Sequence, residues 1–187
     1  MGNDTIQGDG SIDLVVSARR LPDGTLQVAP SVESATDGDD HIEGNGGNDT
    51  IFGGLGQDDI IGGSSNLFGL TTRELRPDGS DLIFGGAGPD IARGDLGDTS
   101  TSGRAPDADV IIADNGSVVR HVGINGTPRT PAAYLTFGFD NYDLALKIIP
   151  RAVEFLDYTP GGIDLSPNAL DIGAADEIHG ESGNDTI

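Results

Sequence analysis

The sequence predicts an all-β fold of short parallel strands stacked in coils, and three observations carry that prediction. A nine-residue pattern recurs: residues 44–61 read GNGGNDTIF then GGLGQDDII, and residues 85–93 read GGAGPDIAR. An aspartate is followed two residues later by an aliphatic residue in ten such units, and nine of the ten aliphatics are Ile or Val. A disordered Gly-rich chain has no reason to keep β-branched residues in phase. The acids are lopsided, with 25 Asp against 6 Glu, beside 30 Gly. Gly supplies positive φ and Asp closes turns, so this composition reads as turns separated by short strands.

In chain order, the sixth-position acids are Asp4, Asp13, Asp40, Asp49, Asp58, Asp81, Asp90, Asp109, Asp176 and Asp185. The aliphatics that follow are Ile6, Val15, Ile42, Ile51, Ile60, Ile83, Ala92, Ile111, Ile178 and Ile187. Each unit is a six-residue turn and a three-residue strand, and period-2 alternation turns the aliphatic inward and its two neighbours outward. Residues 8–16 (GDGSIDLVV) form the second unit, with Ser11 in place of a glycine. The first and last units, GNDTIQ and GESGNDTI, are cut short, so flanking repeats of a longer chain are expected.

The nonapeptide resembles the RTX, or hemolysin-type, calcium-binding repeat of secreted bacterial proteins, over blocks 2–16, 36–63, 78–97, 107–116 and 173–187. The resemblance implies a parallel right-handed β-roll, a β-helix or solenoid with β-rich insertions, in which two units make one coil. It also implies several Ca²⁺ ions held between turns two units apart, each by carbonyls and an Asp from both turns. Carried onto this chain, one site joins Gly54, Gly56 and Asp58 to Gly85, Ala87 and Asp90. A second joins Thr36, Gly38 and Asp40 to Gly53, Leu55 and Asp58. A third joins Asp9, Ser11 and Asp13 to Gly44, Gly46 and Asp49. A fourth joins Asn45, Gly47 and Asp49 to Gly62, Ser64 and Asp81. A fifth joins Gly86, Gly88 and Asp90 to Ala113, Asn115 and Asp176, with Asp109 and Asp185 as further sixth-position acids. Stacked aspartates repel without a cation between them, and carboxylate and carbonyl oxygens suit a hard one.

Insertions divide the array. Residues 1–16 hold the first repeats, and 17–35 read as a hairpin around PDG. Residues 36–116 form the main array, interrupted at 65–77 and 98–106. Residues 117–172 are a large insertion with strand-like VVRHV, YLTFGF, LALKII and AVEFL, and 173–187 return to the repeat. Nine of the ten basic residues lie in insertions. If units alternate strictly between two sheets, the even-numbered units present Val16, Phe52, Phe84 and Ile112 outward as an apolar ladder. The 117–172 insertion is expected to dock on that sheet, a surface partner or second copy being the alternative cover. The other sheet, with His41, Glu43 and Asp59, is then expected to face solvent, so that Asp59→Ala does little.

Several functions are excluded. A net charge of −21 leaves no basic footprint for nucleic acid. The chain has no Cys, hence no disulfide. No apolar run approaches the ~18 residues of a membrane span. Met1 runs into GNDTI without a charged or apolar leader region, so no leader is expected there. No HExxH, G-x-S-x-G or phosphate-loop motif is present, and His41, His121 and His179 are scattered. The expectation is therefore a non-enzymatic calcium-binding module of a secreted protein that folds on Ca²⁺ after export. The alternatives are an adhesive module working through residues 117–172, or an accessory region of a secreted protease, lipase or peroxidase.

Overall fold

The computed structural model describes residues 2–10, 12, 15–88, 107–120, 151–158 and 171–187. Among them lie eleven β-strands and one short 3₁₀ turn, Arg73–Leu75, and no α-helix. The strands are β1 (Thr5–Gln7), β2 (Ser17–Arg20), β3 (Leu26–Ala29), β4 (His41–Glu43), β5 (Thr50–Phe52), β6 (Asp59–Ile61), β7 (Leu82–Phe84), β8 (Val110–Ile112), β9 (Gly116–Arg120), β10 (Arg151–Phe155) and β11 (Glu177–His179).

Two parallel sheets hold the repeats. The first runs β1-β5-β7-β11 and the second β4-β6-β8. The chain passes from one to the other at each repeat strand, and Thr186 then bridges Val110 in the second sheet. The middle residue of each strand points inward: Ile42, Ile51, Ile60, Ile83 and Ile111 form one buried cluster, flanked by Ile6 and Ile178. Each such burial contributes about 1.5–3 kcal/mol.

Strict alternation of all ten units does not hold among the described strands: the first sheet takes units one, four, six and nine, and the second takes three, five and eight. Gly8 and Asp9 open a turn, and Asp40 closes it after the 17–35 excursion: Asp9 N–H donates to Gly53 O at 3.2 Å and Gly38 N–H to Asp9 Oδ2 at 2.7 Å. Val15, expected inward, is 88% exposed. Likewise β8 pairs directly with β6, and β11 with β7.

This change of register reassigns the covers. Phe52 and Phe84 are neighbours on the first sheet, stacked at 4.9 Å and 7°, and Phe84 stacks on His179 at 4.9 Å. Both rings are fully buried, packed with Val16 and with Ala18, Leu26 and Val28 of the antiparallel β2-β3 hairpin, whereas Val118, among the described residues of 117–172, packs on the second sheet. Ile112 belongs to the second sheet, opposite Ile61. The second sheet is covered as well. Val118 of the antiparallel β9-β10 pair packs on Ile61, Val110 and Ile112. Asp59, expected at the surface, is 2% exposed and receives Arg120 Nε at 2.5 Å and Arg151 Nε at 3.0 Å. The segments YLTFGF and LALKII lie outside the described residues.

Candidate metal centres

The turns stack along two edges, and along each edge the sixth-position aspartates form a ladder. On one edge Asp40 N–H donates to Asp58 Oδ1 at 2.8 Å, Asp58 N–H to Asp109 Oδ1 at 2.9 Å, and Asp109 N–H to Asp185 Oδ1 at 3.1 Å. On the other, Asp4 N–H donates to Asp49 Oδ1, Asp49 N–H to Asp81 Oδ1, and Asp81 N–H to Asp176 Oδ1, each at 2.8 Å. One oxygen of each accepting carboxylate thus locks the next turn in place.

The other oxygen has no such role. Asp49 Oδ2, Asp58 Oδ2, Asp81 Oδ2 and Asp109 Oδ2 are buried without a hydrogen-bond donor, as is Asp40 Oδ2. The four residues named first are at most 3% exposed. Burial, then the charge of neighbouring aspartates, pushes Asp58 and Asp81 up to about 7. Asp109 rises well above the usual carboxylate range, from burial and then from Asp58. A buried carboxylate oxygen without a donor is costly unless a cation compensates it.

Backbone carbonyls converge on the same oxygens, and the absence of a side chain at one turn position allows it. A Cβ on Gly8 would stand 2.5 Å from both Gly53 O and Asp40 Oδ2. One on Gly85 would stand 2.5 Å from Asp109 Oδ2 and 2.6 Å from Gly180 O. On the other edge the same place at Gly62 faces Asp81 Oδ2 at 2.6 Å and the Ala113 carbonyl. In other turns the following position takes positive φ, 105° at Gly54 after Gly53 and 66° at Asn45 after Gly44, a conformation that favours glycine. Oxygen-only groups of this kind, two carboxylates with several carbonyls, fit a hard divalent cation.

A family model for the RTX calcium-binding nonapeptide repeat matches residues 34–66, 78–98 and 173–187, in four copies. These three stretches are similar to RTX calcium-binding repeats. RTX repeats bind Ca²⁺, which is the cation that the turns fit. The matched family is a calcium-binding module and not a catalytic one. No curated protein and no solved structure matches the chain.

The structure redistributes the site residues that the sequence groups together. Thr36, Gly38 and Asp40 lie beside the Gly53–Asp58 turn, as Asp40 N–H on Asp58 Oδ1 and the approach of Gly38 O to Gly56 show. Asn45, Gly47 and Asp49 lie beside Gly62, Ser64 and Asp81: Asn45 N–H donates to Gly63 O at 2.8 Å, and Ser64 Oγ to Asn45 Oδ1 at 3.3 Å. Three groupings are corrected. Gly54 keeps Gly85 as a neighbour, its N–H donating to Gly85 O at 3.1 Å, but Gly56 O accepts Ala108 N–H, Ala87 O accepts Ser31 N–H, the acid opposite Asp58 is Asp109, and Asp90 lies outside the described residues. Asp9 sits with Gly53 and Gly38 on the opposite edge from Asp49, whose turn stacks on Gly2–Asp4 instead. Ser11 and Asp13 lie outside the described residues. Gly86 and Gly88 lie by Glu181, whereas Ala113, Asn115 and Asp176 belong to the other edge. The differences share one feature: the turn begun at Gly8 meets Asp40, and the turn begun at Gly85 meets Asp109, each across an insertion.

The sequence reading also missed residues. Asp4 was recognised as a sixth-position acid but placed in no site, and it heads one ladder. Asp78 and Asp114 were not singled out at all. Both oxygens of Asp78 are buried without a donor, and burial followed by contact with Asp114 pushes Asp78 up to about 8. The only signal was an Asp in a turn next to a repeat.

Proposed function

We propose that the chain is a calcium-folded β-roll module of a secreted protein. The observation that carries this reading is the run of buried, donor-free second oxygens on Asp40, Asp49, Asp58, Asp81 and Asp109, each beside converging backbone carbonyls. In this reading one ion lies between the turns of Asp40 and Asp58, another between those of Asp58 and Asp109, and another between those of Asp49 and Asp81. Carbonyls of Gly53, Gly85 and Gly62 and their turn neighbours complete the ligand sets. The two parallel sheets joined by stacked turns are the halves of the roll. Low Ca²⁺ would leave a self-repelling chain, and the millimolar Ca²⁺ outside a cell would fold it by mass action. Family membership supports secretion, since RTX repeats are typical of secreted bacterial proteins. Calorimetric titration of the metal-free chain tests the reading: several equivalents should bind in the 10⁻⁴–10⁻³ M range of extracellular modules, roughly, and absence of uptake at millimolar Ca²⁺ would refute it.

A second reading, an interaction surface on the 117–172 insertion, is favoured by Phe155 and Tyr158. They are 65% and 58% exposed and meet edge-on at 6.1 Å. Sedimentation of the calcium-loaded chain checks it. Self-association that Phe155→Ser abolishes supports this surface, and a monomer at all concentrations removes its use between copies.

A further inference from the structure

The two parallel sheets are built from bonds that repeat along the array. On the first, Thr50 N–H donates to Asp4 O, Leu82 N–H to Asp49 O and Glu177 N–H to Asp81 O, each at 2.9 Å. On the second, Asp59 N–H donates to Asp40 O at 2.8 Å, Val110 N–H to Asp58 O at 2.8 Å and Thr186 N–H to Asp109 O at 2.9 Å. The carboxylate ladders run the other way, each aspartate N–H donating to the Oδ1 of the next. Among the described residues, these series begin at Asp4–Thr5 and Asp40–His41 and end at Asp176 and Asp185.

The two ends are complementary. The leading edge, β1 and β4, presents the N–H groups of Thr5 and His41 and the carboxylates of Asp4 and Asp40. The trailing edge, β11 and the Thr186 bridge, presents the carbonyls and N–H groups of Asp176 and Asp185. One further step of the same register sets Glu177, Ile178 and His179 opposite Thr5, Ile6 and Gln7 of a second copy. On the second sheet it sets Thr186 opposite His41 and Ile187 opposite Ile42. Inward aliphatic then meets inward aliphatic on both sheets, and no like charges face each other on the outward side. A cavity lined by Ile6, Gly8, Asp40 and Ile42 lies at the leading edge, and Ile187 stands 69% exposed at the trailing one. Unpaired edges in register are a template for further strands.

We propose that the leading edge of β1 and β4 docks the trailing edge of β11 and Thr186–Ile187 of a second copy, head to tail, so that both sheets run on from one chain into the next. The contact joins two different surfaces and does not close, so copies add in line. It brings Asp176 beside Asp4 and Asp185 beside Asp40, and these like charges need a cation between them, as they do within each ladder. Association therefore depends on Ca²⁺, and in that respect the proposal rests on the calcium reading of the repeats.

Sedimentation of the full chain over a range of concentrations, with circular dichroism on the same samples, tests it. In Ca²⁺ the wild type should form dimers and longer species, and chelator should disperse them. Thr5→Pro removes an edge N–H at the first position of a strand, and Ile187→Asp places a charge in the joint. Each should weaken association about tenfold or more. Mixed together, the two variants should form a dimer and nothing longer, because each supplies the edge that the other lacks. Phe155→Ser should associate as the wild type does. If Thr5→Pro loses its calcium-induced structure, Ile187→Asp alone gives the decision. A chain that gains β-structure in Ca²⁺ yet stays monomeric overturns this proposal, keeps the calcium reading and leaves the edges to flanking repeats of a longer chain. Association that Phe155→Ser abolishes and the edge variants leave unchanged also overturns it. A chain that takes up no Ca²⁺ overturns the calcium reading and this proposal with it.

Discussion

The faces of the two sheets and the turns between them both carry acids, but the protein treats them differently. On the faces, each acid finds a donor within the chain. Glu43 accepts Ser65 N–H at 3.1 Å and the Ser65 hydroxyl. Asp59 takes Arg120 and Arg151, and Glu177 takes Arg20 and His179. The Arg20 guanidinium holds Glu177 down to about 2. In the turns, Asp49, Asp58, Asp81 and Asp109 each accept one backbone N–H and keep one oxygen without a donor. Among the described residues, insertions thus bring arginines to the faces and none to the ladder oxygens. A charge that the fold leaves uncompensated in a repeating, oxygen-lined place is one that an ion must meet.

Substitutions sharpen this contrast. The largest effect is expected from Asp58→Ala, because Asp58 stands between Asp40 and Asp109 and serves the turn on either side of it. Calcium affinity should fall about 100-fold at two sites together, about 2.7 kcal/mol at each, in a calorimetric titration. Loss at a single site would contradict the ladder. Asp59→Ala comes next, though it is a neighbour in sequence. It strips a carboxylate from Arg151, whose side chain is 2% exposed, and should cost about 3 kcal/mol in denaturant unfolding of the calcium-loaded chain. Its calcium count should stay unchanged, and a lost ion would erase the distinction between face and turn.

Phe84→Leu probes the face without touching charge. It removes the stack on Phe52 and His179 and should cost about 1–2 kcal/mol, again with every ion retained. A smaller effect belongs to pH. In the metal-free fold Asp58 and Asp81 are raised to about 7, above the ordinary unfolded value of about 3.9. Between those limits the fold binds more protons than the unfolded chain, so its stability falls as pH rises. Metal-free protein should therefore show more β-structure by circular dichroism at pH 5 than at pH 8. The opposite order would mean that the turn carboxylates are not buried together.

Much of this organisation is legible in the sequence because the Asp-x-Ile triplet marks both an inward aliphatic and a turn acid. Ile51, Ile60 and Ile83 fall in the core, and Asp49, Asp58 and Asp81 in the ladders. What is not legible is which turns continue into a strand at once. GDGSIDLVV and GGAGPDIAR match the pattern locally, yet Gly8 and Gly85 hand their turns to Asp40 and Asp109 across insertions. That choice depends on contacts made by the insertion: Ser31 on Ala87, and Val28 and Leu26 on the Phe52–Phe84 stack. The same contacts decide which cover lies on which sheet, and no repeat pattern encodes them.

Small-angle scattering and circular dichroism on one sample, as Ca²⁺ is added to the metal-free chain, test the central claim most directly. A chain with a net charge of −21 and unmatched turn carboxylates should begin expanded. It should compact and gain β-structure together, in one cooperative step at roughly 10⁻⁴–10⁻³ M Ca²⁺, and chelator should reverse both. A metal-free chain already as compact and as β-rich as the calcium-treated one would contradict the account, for its turn oxygens would then need no ion.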